Sequence, residues 1–514
     1  MRRRRLIALG IAILAVVCAS AFAIAMAGSA GVLGSAEKTA TAYFRAWAER
    51  DLTAMKRLVD HPPQDFTLRH LTLAESLHLE EITLDPSLPR STGPETAEAP
   101  FAVTMRLKEF GDWPYESILR LAVRDRQWKV VWAPETLHPL LKDGGTLEVS
   151  PIEVEGVELV TAEGKTMPRR GYNDTYLDGL RSNFEGHSQG WVLMANGEKI
   201  KEIPPKQPKV TTTISRQVQA AAARALDGVN DAAIVAVRSS TGAVLAVADR
   251  LEEANAFRDY FPPGSTFKVI SAVALLKAGL TADTAVDCPA TYQIPFHSQV
   301  RNAGDVDRGA LTFGQAFAHS CNTTFVQLGT TRLHETELLT TAQEWGFTGN
   351  SLPTGNGGAC GRMNEPANPD QLMLALIGQG SVEATPLCMA AVAAAVESGT
   401  WRPPRLLPVK EVERIDGRVP EPVELDPGIV AQLQEMMLTV VVGGTASEGG
   451  LPEGTAGKTG TAENYDGGDH AWFIGYRNDV AFCVFVRNGG SGAKVAVPIA
   501  DRFLRGLEST IARS

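Results

Sequence analysis

Hydrophobic and polar positions along this 514-residue chain follow different periods in different places, and the changes of period divide it into regions. Leu6 to Ala27 has no polar phase: it carries no charged side chain and is mostly Leu, Ile, Val and Ala. About 20 such residues span the apolar core of a bilayer as a helix. Arg2 to Arg5 precede the run. Residues 1–5 are therefore predicted as a basic cytoplasmic stub and 6–27 as a transmembrane anchor, with the rest of the chain outside. A cleaved signal peptide is the alternative, because Ala19, Ala21 and Ala23 offer small-residue cleavage sites, although the run is longer than a usual signal core.

From Ala36 to Asp60 the apolar residues recur at helical spacing, with Tyr43, Phe44, Trp47, Leu52, Met55 and Leu58 on one stripe. Three stretches then alternate with period two: Ala102 to Leu107, Ile118 to Val123, and Trp128 to Trp132. Helix followed by a curved antiparallel sheet predicts a small α+β domain over residues 36–145. Residues 146–208 are rich in Gly, Pro and charge and read as a linker, with Pro204, Pro205 and Pro208 as a stiff approach to the next domain.

The texture changes again at Lys209. Gln217 to Leu226 reads as a helix, and Ala232 to Val237 with Ala243 to Val247 as a hairpin. Helical patterns dominate from Ser265 to about Met437. A second hairpin, Ala471 to Tyr476 with Val480 to Val486, precedes an amphipathic helix at about Pro498 to Ala512. Strands at both ends with helices between predict an α/β domain over 209–514, its sheet assembled from the termini of the domain.

Composition narrows the classes. A hydrophobic fraction of 44% and a charged fraction of 21% are ordinary for globular protein. The formal net charge of -10 argues against nucleic-acid binding, which needs a concentrated basic surface. Five cysteines lie beyond the apolar run: Cys288, Cys321, Cys360, Cys388 and Cys483. Their spacing matches no zinc site, and neither a metal nor another cofactor is expected. Cys388 and Cys483 stand in apolar runs and read as buried small hydrophobes. Cys288 and Cys360 fall in loop-like sequence, where an oxidising location would permit a bridge between them if their Cα atoms lie within about 7 Å.

Candidate chemistry rests on three short motifs. Ser265-Thr266-Phe267-Lys268 follows Pro262-Pro263-Gly264 and opens an apolar helix. A serine there meets free backbone N–H groups and the positive end of the helix dipole. Lys268, three residues on, comes round to the same face, and a desolvated lysine of lowered pKa can serve as the base a serine nucleophile needs. Spacing alone is weak, because Ser35 and Lys38 repeat it beside the anchor, and Ser265 could simply cap its helix. The second motif, Ser320-Cys321-Asn322, falls at a helix start or an inter-helix turn. There Ser320 could relay protons and Asn322 could hold a substrate amide. The third, Lys458-Thr459-Gly460-Thr461, would put a cation on a strand. Thr459 and Thr461 could bind a substrate carboxylate, with Gly460 admitting close approach. The N–H groups of Ser265 and Thr461 are candidates for an oxyanion hole.

In this order the three motifs resemble the signature of penicillin-recognising serine enzymes. The flanks Tyr260 to Lys268 and Ala456 to Glu463 are similar to the nucleophile segment and closing strand of high-molecular-weight transpeptidases. Gly378-Gln379-Gly380 with Ala384 to Leu387 resembles a segment near the cleft floor, and His470 to Tyr476 resembles the strand after the closing one. Trp47, Trp113-Pro114-Tyr115, Trp128 to Trp132 and His138 to Leu141 resemble the class B branch in which a nuclear-transport-factor-like cone domain follows the anchor, as in low-affinity penicillin-binding proteins. Only Arg169-Arg170-Gly171 and Tyr176 to Trp191 resemble the family's usual long pedestal, so 146–208 is expected as an abbreviated one.

The resemblance implies a bacterial cell-wall D,D-transpeptidase. Ser265 would attack the D-Ala-D-Ala carbonyl of a stem peptide outside the membrane, an amine from a second strand would resolve the acyl-enzyme, and penicillin and other β-lactams would acylate the same serine. Partners would be peptidoglycan stem peptides, the membrane and a glycan-strand polymerase, with no strand polymerisation by this chain. Alternatives are a β-lactamase or D,D-carboxypeptidase using the same serine and, in a different class, a non-catalytic β-lactam sensor or wall-complex scaffold.

Overall fold

The computed structural model describes residues 31–464 and 467–511, so the stub and apolar run expected at 1–27 lie outside the described residues. No helix among the described residues is long and apolar enough to cross a membrane. The chain forms two compact units, one of residues 31–155 with 187–207 and one of 156–186 with 208–511.

The first unit opens with helices α1 (Ala36–Ala48), α2 (Leu52–Leu58) and α3 (Phe66–Ser76). The single stripe predicted for 36–60 is two helices, because Arg50 takes a left-handed φ of 58° and Asp51 caps a new start by accepting from the Ala54 N–H. The helices face an antiparallel sheet of β1 (Leu79–Pro86), β2 (Arg90–Gly93), β3 (Thr96–Leu107), β4 (Gly111–Arg124) and β5 (Gln127–Val130), ordered β1-β3-β4-β5 with β2 also on β3. Alternation along β3 buries Ala97, Ala99, Phe101, Val103, Met105 and Leu107, and Phe101 meets Phe44 and Trp47 of α1. Each such fully buried large side chain contributes about 2 kcal/mol.

Residues 146–208, expected as a linker or abbreviated pedestal, divide between the units. Strands β6 (Leu147–Glu155), β7 (His187–Ala195) and β8 (Glu198–Ile203) pair in that order within the first unit, where Leu147, Val149, Leu193 and Ala195 join Leu73 and Leu77 in one core. The intervening 156–186 belongs to the second unit through α4 (Asp174–Arg181), whose Tyr176, Leu177 and Leu180 are buried and whose Tyr176 hydroxyl donates to Asp249. Pro151 and the charged outer positions of β6 masked a period-two pattern in the sequence.

The second unit is built on a five-stranded antiparallel sheet of β9 (Ala232–Arg238), β10 (Val244–Asp249), β11 (Ala456–Ala462), β12 (His470–Arg477) and β13 (Val480–Val486), ordered β10-β9-β13-β12-β11. The two predicted hairpins thus sit side by side, β9 pairing with β13. The strands are buried on both faces, covered by α5 (Arg216–Ala225) and the terminal α11 (Ala496–Ile511), and by the almost wholly apolar α9 (Pro386–Ser398). Helices α6 (Lys268–Lys277), α7 (Phe313–Ala318), α8 (Asn322–Arg332) and α10 (Pro427–Val442) come from the insert between the sheet's two halves. The insert is less helical than predicted: Ala285–Cys288 pairs with Gly309–Thr312, and Thr291–Gln293 with Gln299–Arg301, each too short a ladder to leave a clear period.

The disulfides correct the cysteine reading. Cys288 is bonded to Cys321, with Cα atoms 6.0 Å apart, and Cys360 to Cys388, with Cα atoms 4.3 Å apart. Cys288 and Cys360 therefore do not bridge, and Cys388 is not a free hydrophobe. Cys483 is free and buried, as read. The closures, of 33 and 28 residues in separation, each restrict the unfolded chain by about 4 kcal/mol on a chain-entropy account.

Candidate active site

Ser265 stands in a 3-10 turn, Gly264–Phe267, that runs straight into α6. The turn is held from two sides. Gly264 has φ 52°, and a Cβ there would lie 2.5 Å from the Thr461 carbonyl oxygen of β11. Its N–H donates to the Gly378 carbonyl at 2.9 Å, and a Cβ on Gly378 would meet the Gly264 oxygen at 2.1 Å. The Gly378-Gln379-Gly380 segment therefore lies under the nucleophile turn. Thr266 is buried, and its hydroxyl donates to the Pro263 carbonyl at 2.7 Å.

The helix register carries Lys268 back beneath Ser265, with Nζ 3.2 Å from Oγ. The lysine is fully buried, and its amine donates to the Ser320 carbonyl at 2.7 Å and to Asn322 Oδ1 at 2.6 Å. The Asn322 amide can face only one way, because its Nδ2 donates to the Arg301 carbonyl at 2.9 Å. Ser320 sits in the turn between α7 and α8 with a left-handed φ of 59°. Its hydroxyl lies 3.3 Å from Lys268 Nζ and accepts from Lys458 Nζ at 3.0 Å. Lys458 of β11 is also fully buried and donates to the Thr459 carbonyl at 3.0 Å.

Burial with no compensating anion among the described residues sets the electrostatics. Desolvation, then the nearby Lys458 charge, holds the Lys268 amine well below the ordinary lysine value of 10.5. Desolvation brings Lys458 down to about 7. Aromatic faces are the nearest compensation, with Lys268 Nζ 5.5 Å from the Phe325 ring centre and Lys458 Nζ 5.6 Å from that of Phe317.

All three motifs therefore meet at one point, where Ser265, Ser320 and Asn322 are partly exposed and both lysines are sealed beneath them. The two candidate threonines separate. Thr461 is exposed, and its Oγ1 accepts from the Gly492 N–H at 3.3 Å. Thr459 is buried with its hydroxyl 2.5 Å from that of Thr445, so it does not simply face the cleft as expected. Gly460 is obligatory: a Cβ would stand 2.8 Å from Thr266 Cγ2 and 3.0 Å from the Pro263 oxygen. The segments bearing the Ser265 and Thr461 N–H groups, the expected oxyanion hole, adjoin at Gly264. Sequence reasoning missed Arg301, Thr445, Gly492 and the rings of Phe317 and Phe325. Arg301 acts through a backbone carbonyl and Gly492 through an N–H, groups common to nearly every residue, so no side-chain signal marks either. Ser35 and Lys38 take no part: Ser35 caps α1. Among the described residues no His, Cys, Asp and Glu cluster could hold a metal ion.

Comparison with known proteins fits this geometry. Residues 232–505, more than half of the chain, match the family described as "Penicillin binding protein transpeptidase domain". Residues 35–145 match the family "NTF2-like N-terminal transpeptidase domain". The chain is 30% identical over 355 residues to Peptidoglycan D,D-transpeptidase PbpA of Mycobacterium tuberculosis, covering 57% of this chain and 71% of that protein. Among solved structures, the ceftriaxone acyl-enzyme complex of penicillin-binding protein A from M. tuberculosis is 26% identical with a TM-score of 0.52, covering 59% of this chain and 80% of that one. Pseudomonas aeruginosa PBP2 is alike in fold, with 24% identity and a TM-score of 0.56 over 70% of this chain and 96% of that one. With its nuclear-transport-factor-like domain ahead of an intact three-motif cleft, this chain belongs to the class B penicillin-binding proteins.

Proposed function

We propose that the chain is a peptidoglycan D,D-transpeptidase whose acyl-enzyme forms on Ser265, and that β-lactams acylate the same oxygen. The observation that carries this is the coordination of Lys268. A neutral amine has two hydrogens and one lone pair. The Ser320 carbonyl and Asn322 Oδ1, which can only accept, occupy the two hydrogens. The lone pair is then left for a hydroxyl, with Ser265 Oγ at 3.2 Å as the nucleophile and Ser320 Oγ at 3.3 Å as the relay within its reach.

On this reading Lys268 takes the Ser265 proton as Oγ bonds to the D-Ala-D-Ala carbonyl carbon. The developing oxyanion is received by the N–H groups of Ser265 and Thr461. Ser320, between the two amines, gives its hydroxyl proton to the leaving nitrogen as the C–N bond breaks and takes in its place the proton that Lys268 received. Terminal D-Ala thus departs as the neutral amine, and Lys268 is again free to act as base. An amine from a second stem peptide then attacks the acyl carbon, and the proton path runs in reverse. A β-lactam follows the first half, but its leaving nitrogen stays tethered. The charge of Lys458 and the exposed Thr461 hydroxyl favour a substrate that carries a carboxylate beyond the scissile bond.

The proposal extends to placement. Arg2 to Arg5 followed by the uncharged Leu6 to Ala27 support a single-pass anchor in the bacterial cell membrane with the catalytic unit outside, where stem peptides lie and a glycan-strand polymerase would work. Labelling with a fluorescent penicillin tests the chemistry. Wild-type protein is expected to form a covalent adduct and Ser265→Ala none; an adduct on the alanine variant overturns the assignment.

A further inference from the structure

The segment after α10 crosses behind both walls of the site. A Cβ on Gly444 would lie 2.4 Å from the Ala318 carbonyl, an approach only glycine permits. The next residue, Thr445, donates its N–H to that same carbonyl at 3.1 Å. Ala318 ends α7, two residues before Ser320. On its other side the Thr445 hydroxyl is 2.5 Å from the Thr459 hydroxyl, and Thr459 follows Lys458 on β11. One residue thus bonds the turn that carries Ser320 and the strand that carries Lys458, and those two side chains must meet at the 3.0 Å between Lys458 Nζ and Ser320 Oγ.

We infer that Thr445 is a positioning residue for acylation: its hydroxyl ties β11 to the end of α7 and so holds Lys458 against the proton-relaying hydroxyl of Ser320. The inference rests on the transpeptidase reading above. The Thr445 N–H contact is available to most residues, whereas the hydroxyl pair requires Thr or Ser. That bond spans the two walls, and the buried Thr459 has Thr445 as its hydroxyl partner. Loss of the bond lets the strand and the turn move independently. The step that suffers is proton transfer to the leaving nitrogen, with carboxylate recognition at the exposed Thr461 largely spared.

The test uses the full chain with Thr445→Val, which keeps shape and N–H, and Thr445→Ser, which keeps the hydroxyl. Stopped-flow acylation by a fluorescent penicillin separates the dissociation constant of the initial complex from the first-order acylation step. Thr445→Val is expected to slow the acylation step about tenfold while changing the dissociation constant by less than about twofold, and Thr445→Ser to stay within about twofold of wild type in both. A wild-type acylation step in Thr445→Val overturns the inference. So does a loss that Thr445→Ser fails to restore, or one matched by an equal loss of folded protein in circular dichroism. Labelling of the Ser265→Ala variant would instead remove the transpeptidase reading itself, so the two failures are distinguishable.

Discussion

Three Ser-x-x-Lys copies occur in the chain, at Ser35, Ser265 and Ser491, and the first two, each at a helix start, do entirely different things. At α1, Ser35 accepts from the backbone N–H of Lys38 at 3.2 Å, and the Lys38 side chain is exposed to solvent. At α6, Lys268 is fully buried and its amine reaches the serine hydroxyl at 3.2 Å, while two acceptors hold its hydrogens. The same spacing yields a helix cap in one place and a nucleophile with its base in the other. What separates them is the surroundings of the lysine. Around Lys38 is water. Around Lys268 are a backbone carbonyl, an amide fixed by Arg301, the ring of Phe325 and a second buried amine. Spacing therefore sets reach, and burial with acceptor-only partners sets chemistry.

The difference can be broken by removing the buried amine. Lys268→Met, close in volume, is expected to lower the rate of acylation by penicillin about a thousandfold or more, whereas changes at Lys38 leave it unaltered. Retained acylation in Lys268→Met would mean that the base is another group. A pH profile sharpens the same point. Lys268 must be neutral to accept a proton, and its pKa lies well below 10.5, so the acylation rate rises with pH and levels off well before the ordinary lysine range. A rising limb in the ordinary lysine range would contradict the burial of Lys268. The smallest effect is at the other copy. Ser35→Ala removes the cap of α1 and is expected to cost about 1 kcal/mol of stability of the first unit, read as a lowered unfolding midpoint, with penicillin acylation unchanged.

These contrasts explain what could be read from the chain alone. The three motifs were legible because each packs its chemistry into three or four consecutive residues, and their order and flanks exclude chance. The central sheet was legible because Ala232 to Val237 and Val480 to Val486 are apolar runs bounded by turns. Pairings between distant segments were not. Cys321 is the middle residue of Ser320-Cys321-Asn322, yet nothing in its local sequence distinguishes Cys288 as its partner from Cys360. Thr445 stands 14 residues from Thr459, and its hydroxyl acquires meaning only when β11 and the end of α7 are brought together. The strands within 146–208 were not legible for a related reason. Strands β6 and β7 pair across the 156–186 excursion into the second unit, and weak alternation around Pro151 gave no sign of that.

The central claim is that of the chain's three Ser-x-x-Lys copies, at Ser35, Ser265 and Ser491, only the one with a buried lysine is nucleophilic. Peptide mapping by mass spectrometry after brief exposure of the wild-type protein to penicillin tests it most directly. The result expected is a single adduct on the peptide containing Ser265, with the Ser35 peptide unmodified. An adduct on Ser35, or on any residue other than Ser265, would contradict it.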